Sequence, residues 1–316
     1  MNMSSGPGRG WRKRAGIRTT ALASGAGLAL AALMAGPAAA AAPPSITSHF
    51  VFVPTTAEVT SDSAFMNNGA TNGRPGDLVF VQENATPGGV CGCSDLEEAI
   101  GVWYSAAQRE WAVFNENQSA MPVNNFYNVL VVPKASRSAF GFRATRRNTA
   151  GDHTFISSRL TNDNPKAVIQ VTQVWNPGGK ATGVYNADTV GVQYYKSKKR
   201  WAIFNEDKTR MPVGAAFNVL VGQAASNGGS ASVLVATRKN IKSSSVLINN
   251  RAINGDPNNI TFVTPDYNPG GKGGTYNDAG ALNDISVWYM GTREAVLDDT
   301  SPPPVRAAFN LLIFSS

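Results

Sequence analysis

The residues that could do chemistry are few. The chain has two histidines, His49 and His153, far apart in sequence, and only His153 has an acid beside it, Asp152. No Gly-x-Ser-x-Gly elbow, His-Glu-x-x-His pair or phosphate-binding loop occurs. Paired carboxylates can run glycoside hydrolysis. Asp95, Glu97 and Glu98 form the only acidic cluster that does not recur along the chain, and ordinary loop solvation is the plainer reading. Cys91-Gly92-Cys93 holds both cysteines of the chain. In an oxidising compartment the pair reads as a disulfide, either a local clip or a link to another chain, with a redox or metal role as the alternative. Two sulfurs fall short of a four-ligand zinc site. Asn115-Glu116-Asn117, Asn205-Glu206-Asp207 and Asp298-Asp299 gather the oxygen donors that calcium takes, but without the ordered spacing of a calcium loop. Polar turns are the simpler expectation. No catalytic residue, metal or cofactor is assigned, and the chain leans away from being an enzyme.

The aromatic residues are more informative, because an aromatic face stacks on a sugar ring and also fills small β cores. Trp111 and Trp201 alternate with Val113 and Ile203 along a strand, and are expected in the core. Trp103 and Trp288 occupy one recurring position that Gln193 fills elsewhere. A buried position rarely accepts both an indole and an amide, because the amide needs partners. This position is therefore expected to be at least partly exposed. Trp103 with Tyr104, Trp288 with Tyr289, and the pair Trp175 and Tyr267 before Asn-Pro-Gly-Gly turns are the candidate ligand-binding residues. Packing under the turn is the plainer reading of the last two.

These positions recur because the chain is triplicated. Trp111-Ala112-Val113-Phe114-Asn115-Glu116, Met121-Pro122-Val123 and Tyr127-Asn128-Val129-Leu130-Val131 return some ninety residues later as Trp201-Ala202-Ile203-Phe204-Asn205-Glu206, Met211-Pro212-Val213 and Phe217-Asn218-Val219-Leu220-Val221. A worn third copy ends in Phe309-Asn310-Leu311-Leu312-Ile313, with Glu294 at the tryptophan position and Pro303 at the methionine position. The blocks Pro87-Gly88-Gly89, Pro177-Gly178-Gly179 and Pro269-Gly270-Gly271 keep the same order, as do Asn-x-x-Pro blocks ending at Pro75, Pro165 and Pro257. These tracts resemble an uncharacterised repeat family of secreted bacterial proteins. The resemblance covers residues 48–316 and implies secretion but no activity.

Within one copy, period-two alternation at Phe140, Phe142 and Ala144 predicts a strand. So do the apolar run 167–174, the pair 190–195 and 201–205 around a basic turn, and 217–221. No amphipathic helix is visible. The fold class is all-β, with three tandem small antiparallel β-sandwich-like repeats at 46–133, 139–222 and 231–316. Short joints, Pro133 to Ser138 and the Ser/Gly/Asn-rich Gly222 to Ser230, predict three modules in a row. A closed pseudo-threefold propeller would need about eight strands per repeat and a sub-period near 45 residues, and neither is present.

Residues 1–40 read as a signal peptide: Arg9, Arg12, Lys13, Arg14 and Arg18, an apolar run of about 15 residues, and small residues to Ala42. The run is short of the ~20 that span a bilayer. The full chain carries 28 Lys+Arg against 21 Asp+Glu, a net +7. Five of those bases and none of the acids lie in the first forty residues, which leaves 23 against 21, or +2. The basic balance therefore belongs to targeting, and no nucleic-acid partner is expected. No membrane span is expected in the mature form, and the oligomeric state is left open. The sequence supports an extracellular, non-enzymatic protein binding a polysaccharide, a cell-envelope polymer or a protein surface through repeated weak sites. The alternatives are an extracellular hydrolase or lyase acting on a polymer, and a structural protein of a surface assembly.

Overall fold

Each repeat folds into seven strands in two facing sheets. The computed structural model describes residues 48–91, 98–180, 182–222, 229–277, 285–298 and 302–315. The expected signal peptide lies outside them. In the first repeat the strands are β1 (Ser48–Phe52), β2 (Val59–Thr60), β3 (Ser63–Met66), β4 (Leu78–Glu83), β5 (Ile100–Ser105), β6 (Glu110–Asn115) and β7 (Tyr127–Val132). The second has β8 (Ala139–Arg143), β9 (Thr149–Ala150), β10 (His153–Phe155), β11 (Val168–Val174), β12 (Val190–Tyr195), β13 (Arg200–Asn205) and β14 (Ala216–Gly222). The third has β15 (Ser230–Val235), β16 (Ile241–Lys242), β17 (Ser245–Leu247), β18 (Ile260–Pro265), β19 (Ile285–Tyr289), β20 (Glu294–Asp298) and β21 (Ala308–Phe314). A three-stranded sheet (β1-β7-β4, β8-β14-β11, β15-β21-β18) faces a four-stranded one (β2-β3-β6-β5, β9-β10-β13-β12, β16-β17-β20-β19). This is the expected all-β class of antiparallel sandwich-like repeats. Among the described residues, no helix is long and apolar enough to cross a membrane.

Each sandwich closes on its own core. In the first, Val79, Val129 and Val131 of the inner sheet meet Met66, Val102 and Trp111 of the outer sheet. Trp111 and Trp201 are buried, as their alternation predicts. Their indole N–H groups donate to the carbonyls of Arg74 (3.0 Å) and Asn164 (2.8 Å). In the third repeat the smaller Glu294 stands in the tryptophan's place and accepts a 2.6 Å bond from the Thr261 hydroxyl.

The last strand of every repeat is apolar on both faces, because it serves two cores. Val129 and Val131 point into their own sandwich, while Leu130 and Val132 join Phe80, Leu220, Phe262, Leu312 and Phe314 in a central cluster drawn from all three inner sheets. The repeats are therefore not modules in a row. Residues 42–316 form one compact unit, and the contacts between repeats run in a closed ring. Parallel pairing joins β5 to β11, Val192 to Asp266 and Val287 to Asn84, linking repeat 1 to 2, 2 to 3 and 3 to 1. The ring has pseudo-threefold symmetry, yet each unit is a sandwich and not a pair of propeller blades.

The repeated motifs are the joints of this ring. Asn128, Asn218 and Asn310 donate from their side-chain amides to the carbonyls of Thr261 (2.9 Å), Val79 (2.9 Å) and Ile169 (3.3 Å), each on the inner strand of another repeat. A second circle runs through the backbone amides of Val81, Val171 and Val263, which donate to side-chain oxygens of Thr172 (3.2 Å), Thr264 (3.0 Å) and Gln82 (3.1 Å). At the rim, Asn176 clamps the backbone N–H and C=O of Tyr104, both at 2.8 Å. Asn268 does the same to Tyr194, and Thr86 accepts from the amide of Tyr289. The Pro-Gly-Gly turns that follow are pressed onto the neighbour. A Cβ on Gly179 would lie 2.8 Å from the Tyr104 ring and 3.0 Å from Pro75, and its φ of +69° already disfavours a side chain. Pro165 meets Gly271 and Pro257 meets Gly89 in the same way, so the two proline motifs of the sequence are opposite faces of one joint.

Burying one leucine of the central cluster is worth roughly 1.5–3 kcal/mol, a large share of the stability of a small domain. A second-repeat fragment spanning 139–222 is thus expected to lose the cooperative urea transition of the whole unit. Asn218→Ala in the full chain, which strips a buried carbonyl of its donor, should cost about 1–3 kcal/mol in the same measurement.

Candidate functional site

The joints also bring aromatic residues of neighbouring repeats together at the rim. At the first joint β5 presents Trp103, half-buried, whose indole N–H donates to the Ser63 hydroxyl at 3.0 Å. Its ring meets Phe65 edge-on at 5.4 Å and Trp175 at 6.4 Å with an 80° interplanar angle. Trp175 belongs to the second repeat. It is carried there by the clamp at Asn176 and by its own N–H, which donates to the Val102 carbonyl at 2.9 Å. Tyr185 closes the group, 5.9 Å from Trp175 and 6.0 Å from Phe114. Gly183 lets the Tyr185 segment fold over Trp175: a Cβ there would lie 1.9 Å from the Trp175 carbonyl oxygen. Trp103, Phe114, Trp175 and Tyr185, with Asp62 and Ser63, line a cavity of about 130 Å³.

The second joint repeats the arrangement with other side chains. Asp152 and His153 replace Asp62 and Ser63, bonded to each other at 2.7 Å. Gln193 replaces Trp103, and Tyr267 and Tyr276 replace Trp175 and Tyr185, 4.6 Å apart. The His153 ring stacks on Tyr195 at 5.1 Å. Burial, then the Asp152 carboxylate, pushes the Tyr195 phenol up to about 12. At the third joint Trp288 is half-buried, but Ala85 stands where the other joints have a ring.

Of the sequence candidates, the structure brings Trp103 and Trp175 into one cavity and places Tyr267 at the equivalent site. Among the described residues, Trp288 has no aromatic partner across its joint. Tyr104 is buried, and it serves the joint through its backbone and ring rather than facing solvent. Tyr289 is half-buried, with its amide bonded to Thr86. Asp62, Phe114, Tyr185 and Tyr276 were not singled out from the sequence. Tyr185 and Tyr276 do carry a signal there, since each immediately precedes an asparagine at matching places in two repeats. His49 stacks on Phe314 at 4.4 Å, and burial lowers its pKa. Among the acids near the cysteines, Asp95 and Glu97 lie outside the described residues, and Glu98 accepts a bond from the Asn117 amide. Cys91 is disulfide-bonded; Cys93 lies outside the described residues.

The Asn-Glu tracts are the polar turns expected, but their glutamates are buried. Glu116 and Glu206 are 2% and 3% exposed. They accept the backbone N–H of Asn186 (3.0 Å) and Asn277 (3.2 Å) from the next repeat. Each sits over a glycine, Gly101 or Gly191, where a Cβ would come within 2.4 Å of the carboxylate oxygen. Among the described residues, no group of three or more His, Cys, Asp or Glu could hold a metal ion. The acids are therefore inter-repeat locks beneath the aromatic sites.

Three stretches, 39–131, 101–221 and 191–313, match one family described as a domain of unknown function, DUF7452. The chain belongs to this family. The second and third DUF7452 matches begin at Gly101 and Gly191, the two glycines beneath the buried glutamates. These two matches therefore take in the outer hairpin of the preceding repeat, the part that holds the joint. The worn third copy is included, in keeping with its retained Asn310. No curated protein and no solved structure matches the chain.

Burial raises the Glu116 carboxyl to about 8, opposed by the Asn186 N–H. Its folded pKa lies above the unfolded one, so the folded state holds the extra proton between about 4.5 and 8. Stability is fully present below that window and is lost as pH rises through it. Glu116→Gln removes this titration. The melting temperature of the variant relative to the parent is expected to climb steadily from pH 5 to pH 8.5 in thermal scans.

Proposed function

We propose that this is an exported, non-enzymatic protein that binds an extracellular polysaccharide or cell-envelope polymer through the aromatic sites between its repeats. The observation that supports this most is the recurrence of one site at two joints. Rings from two repeats converge at the rim, beside an acid and a polar side chain, on a scaffold rigidified by the joints beneath. Aromatic faces at a half-exposed position are suited to stacking on a ligand rather than to filling a core. Two such sites on one unit, held at a fixed separation, suit a repetitive polymer that can engage both at once. Linked weak sites then bind far more tightly than either alone.

The test is an array of glycans and cell-wall polymers probed with residues 42–316. Trp103→Gln is the informative variant, because the second repeat carries Gln193 at that place and folds around it. Retention on at least one polymer is expected, weakened about tenfold or more, a loss of about 1.4 kcal/mol, by Trp103→Gln with no change in melting temperature. Silence on every polymer would overturn the reading. Release of soluble product from one of them would replace it with a hydrolase or lyase.

A further inference from the structure

The two aromatic sites differ in one respect that bears on the ligand. At the second joint the ammonium group of Lys208 sits 4.3 Å from the centre of the Tyr276 ring, so this site supplies its own cation. At the first joint the equivalent ring is Tyr185, 39% exposed, and the residue in the place of Lys208 is Gln118. The backbone is the same at both positions, with φ of 65° at Gln118 and 66° at Lys208. The first joint thus keeps the aromatic walls and lacks the internal cation.

We propose that the first-joint cavity binds a quaternary or N-methylated ammonium group. The inference rests on the polymer-binding reading and names the group recognised. The walls stand at steep angles, 80° between Trp103 and Trp175 and 70° between Phe114 and Tyr185. They form a corner, where a flat platform would suit a sugar face. A cation is attracted to the faces of several such rings at once, and tryptophan is the strongest of them. The space of about 130 Å³ corresponds to about four water volumes, the scale of a trimethylammonium head. The Trp103 N–H is already given to Ser63, and the Ser63 hydroxyl donates to Asp62 at 2.9 Å. These two donors are engaged with one another and a carboxylate faces the site, while the Trp175 indole N–H is buried without a partner among the described residues. Burial and then the Asp62 charge hold the Tyr185 phenol above its usual range. Burial opposes a charge of either sign, whereas the Asp62 carboxylate beside the ring favours a positive one.

The test is a calorimetric and tryptophan-fluorescence titration of residues 42–316 with tetramethylammonium, choline and dimethylbutanol, the uncharged carbon isostere of choline. Saturable binding of both cations is expected, with the isostere at least about tenfold weaker. Gln118→Lys installs the lysine that the second joint already has and leaves the lining residues untouched. It should abolish cation binding at an unchanged melting temperature, and Trp103→Gln should do the same. Equal binding of choline and its isostere would overturn the proposal, as would a Gln118→Lys variant that binds like the parent. Polymer retention that depends on Trp103 without any cation binding would overturn the cation alone and leave the polymer reading standing. Cation binding without retention on any polymer would support the cation and sink the broader reading.

Discussion

Asn128, Asn218 and Asn310 each reach out of their own inner sheet to the backbone of another repeat, and the rest of the molecule depends on that reach. An inner strand at the centre of three packed sheets has peptide groups that water cannot serve. A buried carbonyl without a donor costs about as much as a hydrogen bond contributes. The asparagine amide supplies the donor from a neighbour, and because all three repeats carry it, the supply closes into a ring. The worn third copy lost its tryptophan and its methionine but kept Asn310. A tryptophan can be replaced within one core by Glu294 and Thr261 bonded to each other. A ring bond has no local substitute, because its partner lies in a different repeat.

The closed ring accounts for the function-bearing features as well. A chain of separate modules would leave each Pro-Gly-Gly turn in solvent and hold Trp103 away from Trp175. Closing the ring seats the turn on the neighbour's tyrosine, brings the second repeat's indole over the first, and places Glu116 and Glu206 beneath. The aromatic sites therefore exist only between repeats, and their rigidity comes from bonds made for assembly. At the third joint Trp288 is present, but Ala85 stands where the other joints have a ring, and no paired aromatic site forms among the described residues.

Much was legible in the sequence. Strand positions from 140 to 221 follow the hydrophobic period, since a half-buried strand alternates and a doubly buried one does not. The exchange of Trp103 for Gln193 marks a half-exposed place, because indole and amide share no buried environment. The two-residue strand β9 escaped notice, being too short to show a period. The Asn-Glu tracts are turns, as expected, but the burial of their glutamates was not legible. Asn and Glu after a strand are the residues of a solvated turn, and nothing local distinguishes that turn from one covered by another repeat.

The sequence by itself determined the triplication, the all-β class and the two-sheet unit, because periodicity and turn residues act over a few neighbours along the chain. Only the tertiary structure decided that the units close on one another and that the aromatic sites lie between them. Those outcomes rest on pairs such as Asn128 with Thr261 and Trp103 with Trp175. Such partners are distant along the chain, and they meet only after three cores have formed and their inner strands share one centre.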